Sequence, residues 1–426
     1  MPPPARYLAF GALAALGVGL AWRFRNKSKK PKGNAAACTL TDFLTHQRDV
    51  VRSLRQHMLS SSSNAASSSS ATDSKVHIVL GNEAADMDSM SSAIMLAYLL
   101  HHTNPAKGPY IPMINIAREE LELRGEAFSV FERSGVDVSL VTFLDDLDLV
   151  QLHDAGRLSI TLVDHNRLSP LQECLADDIT AVVDHHVDEH LYRESQMAPR
   201  IIQPVGSCSS LVLSAFLSSD NSHLLNPDTS FLLLAPILLD TRNMCAEQKK
   251  GTPLDAQSLQ FLSAMCQESD LAALTSHLLH LRSDITRLST AQLLVKDAKF
   301  ALVSDIICCV STVPLSVADW IARDCALAQS WRTFCETKSL HLLVALTSYA
   351  DEEGRHRREL AIFSPDPLLH QSFLLVFGNL SQSLDLESKH FPSLADSVSV
   401  FQLRDLTKSR KQVMPIVVSV LNMLQT

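Results

Sequence analysis

Val76-His77-Ile78-Val79-Leu80-Gly81-Asn82-Glu83-Ala84-Ala85-Asp86-Met87-Asp88-Ser89 joins a short apolar run to a turn that ends in two closely spaced carboxylates. The run has the length and branched-aliphatic content of a buried strand, and from Ser89 to His101 the apolar positions keep helical spacing. Strand, polar turn and helix form the repeating unit of a parallel sheet with right-handed crossovers. Three later segments share the pattern: Ile160-Thr161-Leu162-Val163 before Asp164-His165-Asn166, Thr180-Ala181-Val182-Val183 before Asp184-His185-His186, and Ala235-Pro236-Ile237-Leu238-Leu239 before Asp240-Thr241. Each polar cluster is expected at the carboxyl end of a strand, the edge of an open α/β sheet where ligands bind.

The chemistry common to the clusters is coordination of a hard cation. Asp86, Asp88, Asp164 and Asp240 offer anionic oxygens and His185 an imidazole, a set suited to magnesium, manganese or cobalt rather than to a thiolate-loving metal. Two such ions sharing a carboxylate would activate a water and neutralise a phosphoryl oxygen, so hydrolysis of a phosphoanhydride or phosphodiester is expected. Blander readings compete. An Asp after a strand also serves as a helix cap or turn residue, and the alternative reading of Asp184-His185-His186 alone is a surface turn with a core histidine. His77, His101, His102, His153, His165 and His190 are not needed by the constellation and read as structural or solvated.

Taken in order, the four segments resemble the motifs of the DHH phosphoesterase superfamily, and 81–89 is similar to the version in fungal exopolyphosphatases and prune proteins. Supporting matches are Leu123-Arg124-Gly125, Pro204-Val205-Gly206-Ser207-Cys208-Ser209-Ser210, Ala235 to Met244, and Ser409-Arg410-Lys411-Gln412-Val413-Met414-Pro415. The resemblance runs from about Val76 to Pro415. It implies that Asp86, Asp88, Asp164, His185 and Asp240 ligate two divalent cations, Mg2+ or Mn2+ with Co2+ as an alternative, and that Asp164 and Asp240 bridge them. It further implies that His186 faces the substrate phosphate and that Asp184 orients the histidines. Asn82 stands where the pyrophosphatase branch has a metal-binding histidine. This departure favours an all-oxygen first site and magnesium, and argues against a plain pyrophosphatase.

An anionic substrate must be drawn in locally, because 37 Lys+Arg stand against 46 Asp+Glu and the net charge is −9. The candidate cations are Arg124, Lys299, Arg410 and Lys411. Lys299 lies in a stretch resembling the start of a DHHA2-type second domain, and Arg410-Lys411 resembles its phosphate-gripping pair; guanidinium holds phosphate bidentately, and Lys acts as a point charge. Arg355-His356-Arg357-Arg358 reads as the tip of a hairpin between Leu343-Val344-Ala345-Leu346 and Leu360-Ala361-Ile362-Phe363. A channel for a long polyanion and a solvated turn protecting a strand edge both fit that run, and it is not counted as a site.

At 426 residues and 46% hydrophobic content, the chain has material for two cored domains. The expected organisation is an apolar amino-terminal segment over 1–34, a helix and Ser-rich tether over 35–74, a parallel-sheet α/β domain over 75–282 and a smaller α/β domain over 290–426. A long helical region from Asp255 to Arg282 closes the first domain, and the active site is expected in the cleft between the two. Substrate would then draw them together.

From Tyr7 to Trp22 the chain is apolar, and Arg23, Arg25, Lys27, Lys29, Lys30 and Lys32 follow it. At roughly 16 residues the run is just short of a comfortable span. A secretory signal is disfavoured because the charge follows the run; a mitochondrial presequence is the alternative to an anchor. The favoured reading is an anchor in a mitochondrial or other intracellular membrane with the enzyme on the cytoplasmic face. Ser60 to Ser74 is too polar to order itself. Nine Cys lack framework spacing and read as reduced, and no basic aromatic surface for nucleic acid is found.

Together these features predict a metal-dependent exopolyphosphatase that removes terminal phosphate from polyphosphate, or from another short phosphoanhydride, by a water the metals activate. The alternatives are a prune-like phosphodiesterase or short-chain polyphosphatase, an inorganic pyrophosphatase and, in a different class, a catalytically weak membrane-tethered interaction scaffold.

Overall fold

The computed structural model describes residues 38–61, 75–193, 199–394 and 398–424. The apolar segment and most of the Ser-rich tether lie outside these residues. No helix among the described residues is long and apolar enough to cross a membrane. The chain divides into two compact units after Asp284.

The first unit is built on a six-stranded parallel sheet: β1 (Val76–Leu80), β2 (Tyr110–Ile114), β3 (Thr142–Phe143), β4 (Leu158–Val163), β5 (Ile179–Asp184) and β6 (Arg200–Ile202), in the order β3-β2-β1-β4-β5-β6. Its helices are α1 (Leu40–Ser61), α2 (Met87–Thr103), α3 (Gly125–Arg133), α4 (Leu149–Asp154), α5 (Cys208–Ser218), α6 (Pro227–Thr241), α7 (Pro253–Cys266) and α8 (Leu271–Ser283). The direction of winding reverses between β1 and β4. In such sheets the crevice outside the carboxyl ends of these two strands is the ligand site. Alternation along the strands feeds two cores: Ile78 and Ile160 point into one, and Val79 and Val163 into the other, which α2, α5 and α6 cover.

One expectation is corrected. Ala235 to Leu239 is not a strand but the last turns of α6. A short apolar run buried on all sides reads alike in either conformation. The deciding signal lies upstream, where Asn226 caps the helix in a reciprocal pair with Thr229 and Pro227 occupies its first turn. The helical region from Asp255 to Arg282 consists of two helices; α7 ends at Gln267 in a left-handed conformation, and Asp270 caps α8. The helix expected ahead of the Ser-rich stretch is α1, and it packs on the first unit. Phe43 and Leu44 enter one core, Val51 enters the other, and Arg48 pairs with Asp146 at 2.8 Å.

Asp255 shows how the loop beneath the site is held. It is fully buried and accepts from Gly206 N, Thr252 N and the hydroxyls of Ser210 and Thr252. A Cβ on Gly206 would lie 2.8 Å from that carboxylate, so only glycine fits there. Asp255→Ala strands four donors and is expected to cost about 3 kcal/mol of unfolding free energy. Chemical denaturation followed by far-ultraviolet circular dichroism measures it.

The second unit carries a seven-stranded sheet, β12-β13-β11-β9-β8-β7, with β10 paired to β11. The strands are β7 (Ala298–Val303), β8 (Ile306–Val313), β9 (Leu342–Thr347), β10 (Tyr349–Ala350), β11 (His356–Phe363), β12 (Leu386–Lys389) and β13 (Val398–Leu403). Its helices are α9 (Thr290–Lys296), α10 (Val317–Arg323), α11 (Leu327–Thr337), α12 (Pro367–Leu380) and α13 (Arg410–Met423). β9 and β11 pair antiparallel, the expected hairpin. Arg355 and Arg357 ion-pair with Asp351, and Arg358 donates to the Lys408 carbonyl, which favours the solvated-turn reading of the basic run.

Candidate metal centre

The site is assembled from the loops after β1, β4 and β5. After β1 the chain turns tightly. Asn82 Oδ1 accepts from Ala85 N, and Ala85 adopts φ +44°. A Cβ on Gly81 would come within 2.4 Å of the Ser89 hydroxyl, which itself accepts from Asn82 N. Asp86 then caps α2 through Ser89 N, and Asp88 enters its first turn. Asp164, after β4, has φ +64°, a costly conformation for any residue but Gly, Asn or Asp.

Asp88 is 2% exposed and lies against the start of α5. One of its oxygens accepts from Cys208 N at 2.6 Å and the other from Ser209 N at 2.9 Å and the Ser209 hydroxyl at 2.6 Å. The partial positive end of a helix thus faces this carboxylate.

Asp164 is also 2% exposed. Its Oδ2 accepts from Asn82 Nδ2 at 2.8 Å, whereas Oδ1 is buried without a hydrogen-bond donor and lies 3.2 Å from His185 Nε2. His185 Nδ1 donates to the Val205 carbonyl at 2.8 Å, which leaves Nε2 for the cluster, 3.9 Å from Asp88 Oδ2. His186 Nδ1 donates to Asp184 Oδ1 at 2.8 Å. Asp164, His185 and His186 can each present one ligand atom within 4.8 Å of the others.

The electrostatics show what this arrangement lacks. Burial, followed by repulsion from Asp88 and Asp86, drives the Asp164 and Asp240 carboxyls well above the usual range. Burial and Asp88 also raise Asp86. Burial would lower His185, but Asp88 and the Val205 carbonyl outweigh it and its pKa is raised. Carboxylates that repel one another around an orphaned oxygen and a bare imidazole nitrogen fit a divalent cation.

Asp184 is fully buried and stays ionised. Burial would raise its pKa, but hydrogen bonds from His186 and Asn166 prevail and lower it. It accepts from the backbone of His185 as well, so it fixes both imidazoles. Asn82 turns its amide nitrogen, a donor, toward Asp164, which agrees with its not being a ligand. Arg124 donates to the carbonyls of Ala84 and Glu120, so its guanidinium braces the first loop rather than standing free for phosphate. Asp240 reaches the cluster from the last turn of α6, not from a strand. In the second unit, Arg410 pairs with Asp297 at 2.7 Å, two residues before Lys299; among the described residues Lys299 and Lys411 have no ion-pair partner.

Two contributors escaped the sequence reading. Asn166 supports Asp184 and accepts from Glu189 N, and its place in the second motif was the available signal. Arg282, at the end of α8, bears electrostatically on Asp86 and Asp240, and Glu126 holds its Nε at 3.0 Å. No motif announces it.

A parallel α/β domain with a carboxylate and imidazole cluster at its switch point, followed by a mixed-sheet unit, defines the class. The chain belongs to the DHH family. Residues 76–237 match the DHH family N-terminal domain and residues 276–420 the DHHA2 domain. It is 32% identical over 344 residues to Exopolyphosphatase PRUNE1 of Rattus norvegicus, covering 80% of this chain and 74% of that one. The Bos taurus protein of the same name is 32% identical over 345 residues, with the same coverage. A Schizosaccharomyces pombe protein is 28% identical over 388 residues, covering 88% of this chain and 96% of that one.

Proposed function

We propose that this chain is a metal-dependent hydrolase of phosphoanhydrides that removes terminal phosphate from polyphosphate. The observation that carries the proposal is Asp164 Oδ1, buried, without a donor, and 3.2 Å from the bare Nε2 of His185 among carboxylates that repel one another. When bound, a pair of divalent cations would lower the pKa of a water and neutralise phosphoryl oxygens. Asp86, Asp88, Asp164, His185 and Asp240 would hold the cations, with Asn82 orienting Asp164. His186, half exposed and with its pKa raised by the hydrogen bond to Asp184, would donate its Nε2 proton toward the phosphate. Lys299, Arg410 and Lys411 stay as candidate phosphate ligands. The names of the mammalian relatives support polyphosphate as substrate.

The test is phosphate release from long polyphosphate, tripolyphosphate, pyrophosphate and a cyclic nucleotide with magnesium, manganese or cobalt. Fastest release from polyphosphate is expected, and absence of release from every substrate by folded, metal-loaded protein would overturn the proposal.

Asp184→Asn probes the positioning of the histidines. A roughly 10–100-fold loss of rate is expected, as for other residues that orient metal-site imidazoles. The hydrogen bond from His186 to Asp184 is the main reason the His186 pKa is raised, so the variant should also move the His186 titration, followed by NMR, to lower pH. A loss of rate without that movement would point to a merely structural effect.

A further inference from the structure

At the amino ends of the strands, away from the metal centre, a cavity of about 460 Å³ opens between the sheet and α2. This volume lies within the range of small-molecule sites, ~300–1,000 Å³. Its composition is unusual for the chain. The protein carries 46 acidic residues and a net charge of −9, yet among the described residues no Asp or Glu lines the cavity, while Lys75 and Lys107 do. Both lysines are exposed at the edge of the cavity, and neither has an ion-pair partner among the described residues.

The floor is also out of character. On one face of β4, Leu158, Ile160 and Leu162 are aliphatic and join a core. On the other face, Ser159 and Thr161 line the cavity although only 2% and 7% exposed. His77 locks part of this floor: Nε2 donates to the Lys107 carbonyl and Nδ1 accepts from Ser159, both at 3.0 Å, while the ring stacks on Tyr110 with centroids 4.7 Å apart. The hydroxyls of Thr161 and Tyr110 are left without a partner among the described residues. Both hydroxyls are therefore open to a ligand or to water. Opposite them, Leu96 and Leu100 of α2 supply an apolar wall.

We propose that this cavity is a second binding site, for a nucleoside mono- or diphosphate: its phosphate between Lys75 and Lys107, its sugar and base between the Thr161 and Tyr110 hydroxyls and the Leu96–Leu100 wall. Inorganic phosphate fills too little of the volume, and a bare polyphosphate gains nothing from the apolar wall. α2 begins at Met87, directly after Asp86, and reaches the cavity through Leu96 and Leu100. None of the candidate metal ligands lines the cavity, so the ligand is an effector rather than a substrate.

Titration calorimetry of the full chain in excess chelator, with ADP, AMP and inorganic phosphate as probes, tests the proposal apart from the metal centre. ADP is expected to bind at one site per chain, at least tenfold more tightly than phosphate. The Lys75→Gln/Lys107→Gln pair should weaken ADP at least tenfold and near-isosteric Thr161→Val several-fold, with Asp164→Asn unchanged. No ADP binding at millimolar concentration would overturn it. So would ADP binding that survives the lysine pair but is lost in Asp164→Asn, or phosphate binding as tightly as ADP.

Discussion

Asp164→Asn is expected to abolish phosphate release and, in the same protein, to raise the melting temperature measured in chelator. The loss of activity should reach about three orders of magnitude, some 4 kcal/mol of transition-state stabilisation, because the buried Oδ1 is the group around which the cation cluster is built. The gain in stability has a separate cause. Metal-free Asp164 is a 2% exposed carboxyl facing other carboxylates, with one oxygen lacking a donor. An asparagine in the same place keeps the left-handed backbone at little cost and accepts from Asn82 through Oδ1. Its Nδ2 then points at His185 Nε2, which Nδ1 donation to Val205 leaves free to accept. Replacing a buried carboxyl that faces other carboxylates by a satisfied amide should stabilise the metal-free fold by roughly 1–2 kcal/mol, the usual exchange of function for stability at a strained site. Thermal melts with and without chelator, beside the phosphate assay, check both halves.

The second large effect is a reversal of the pH dependence of stability on adding divalent metal. In the metal-free fold Asp86, Asp164 and Asp240 have pKa values above those of the unfolded chain, burial being the first cause and mutual repulsion the second. The folded state holds protons that the unfolded chain has already released. The stability this confers is complete below the unfolded carboxylate value of about 4 and is lost as pH rises through the folded values. His185 and His186, also raised, act in the same direction over the range above about 6.5. Metal-free protein should therefore lose melting temperature steadily from about pH 5 to pH 8. Cations compete with those protons, so a saturating metal should stabilise more as pH rises. At a concentration a hundred times Kd, each site adds ~2.7 kcal/mol. Melting curves at pH 5, 6.5 and 8, with chelator and with manganese, measure the reversal; a metal-free protein as stable at pH 8 as at pH 5 would contradict it.

How much of this was legible in the sequence depended on whether the signal was local. β1, β4 and β5 announce themselves because each is a short aliphatic run ended by a polar turn, and the ordering of their clusters carried the resemblance to the DHH superfamily. Asp164, His185 and His186 were readable for the same reason. The run before Asp240 misled because a segment buried on every side has no periodicity, and the Asn226-Pro227 start of its helix lies outside the motif. The roles of Asn82, Arg124 and Arg282 are set by contacts 40 to 156 residues away, between atoms that spacing along the chain does not relate. Asp255 is the same case: it holds Gly206 from 49 residues further along, and only the fold brings them together.

The central claim is that the cluster around Asp164 is a centre for two divalent cations. Equilibrium dialysis against manganese, with metal counted per folded chain, tests it most directly. Two ions per wild-type chain at pH 8, falling to one or none in Asp164→Asn and released below pH 5, is the predicted result. No bound manganese in the folded wild-type protein, or full occupancy retained by Asp164→Asn, would contradict it.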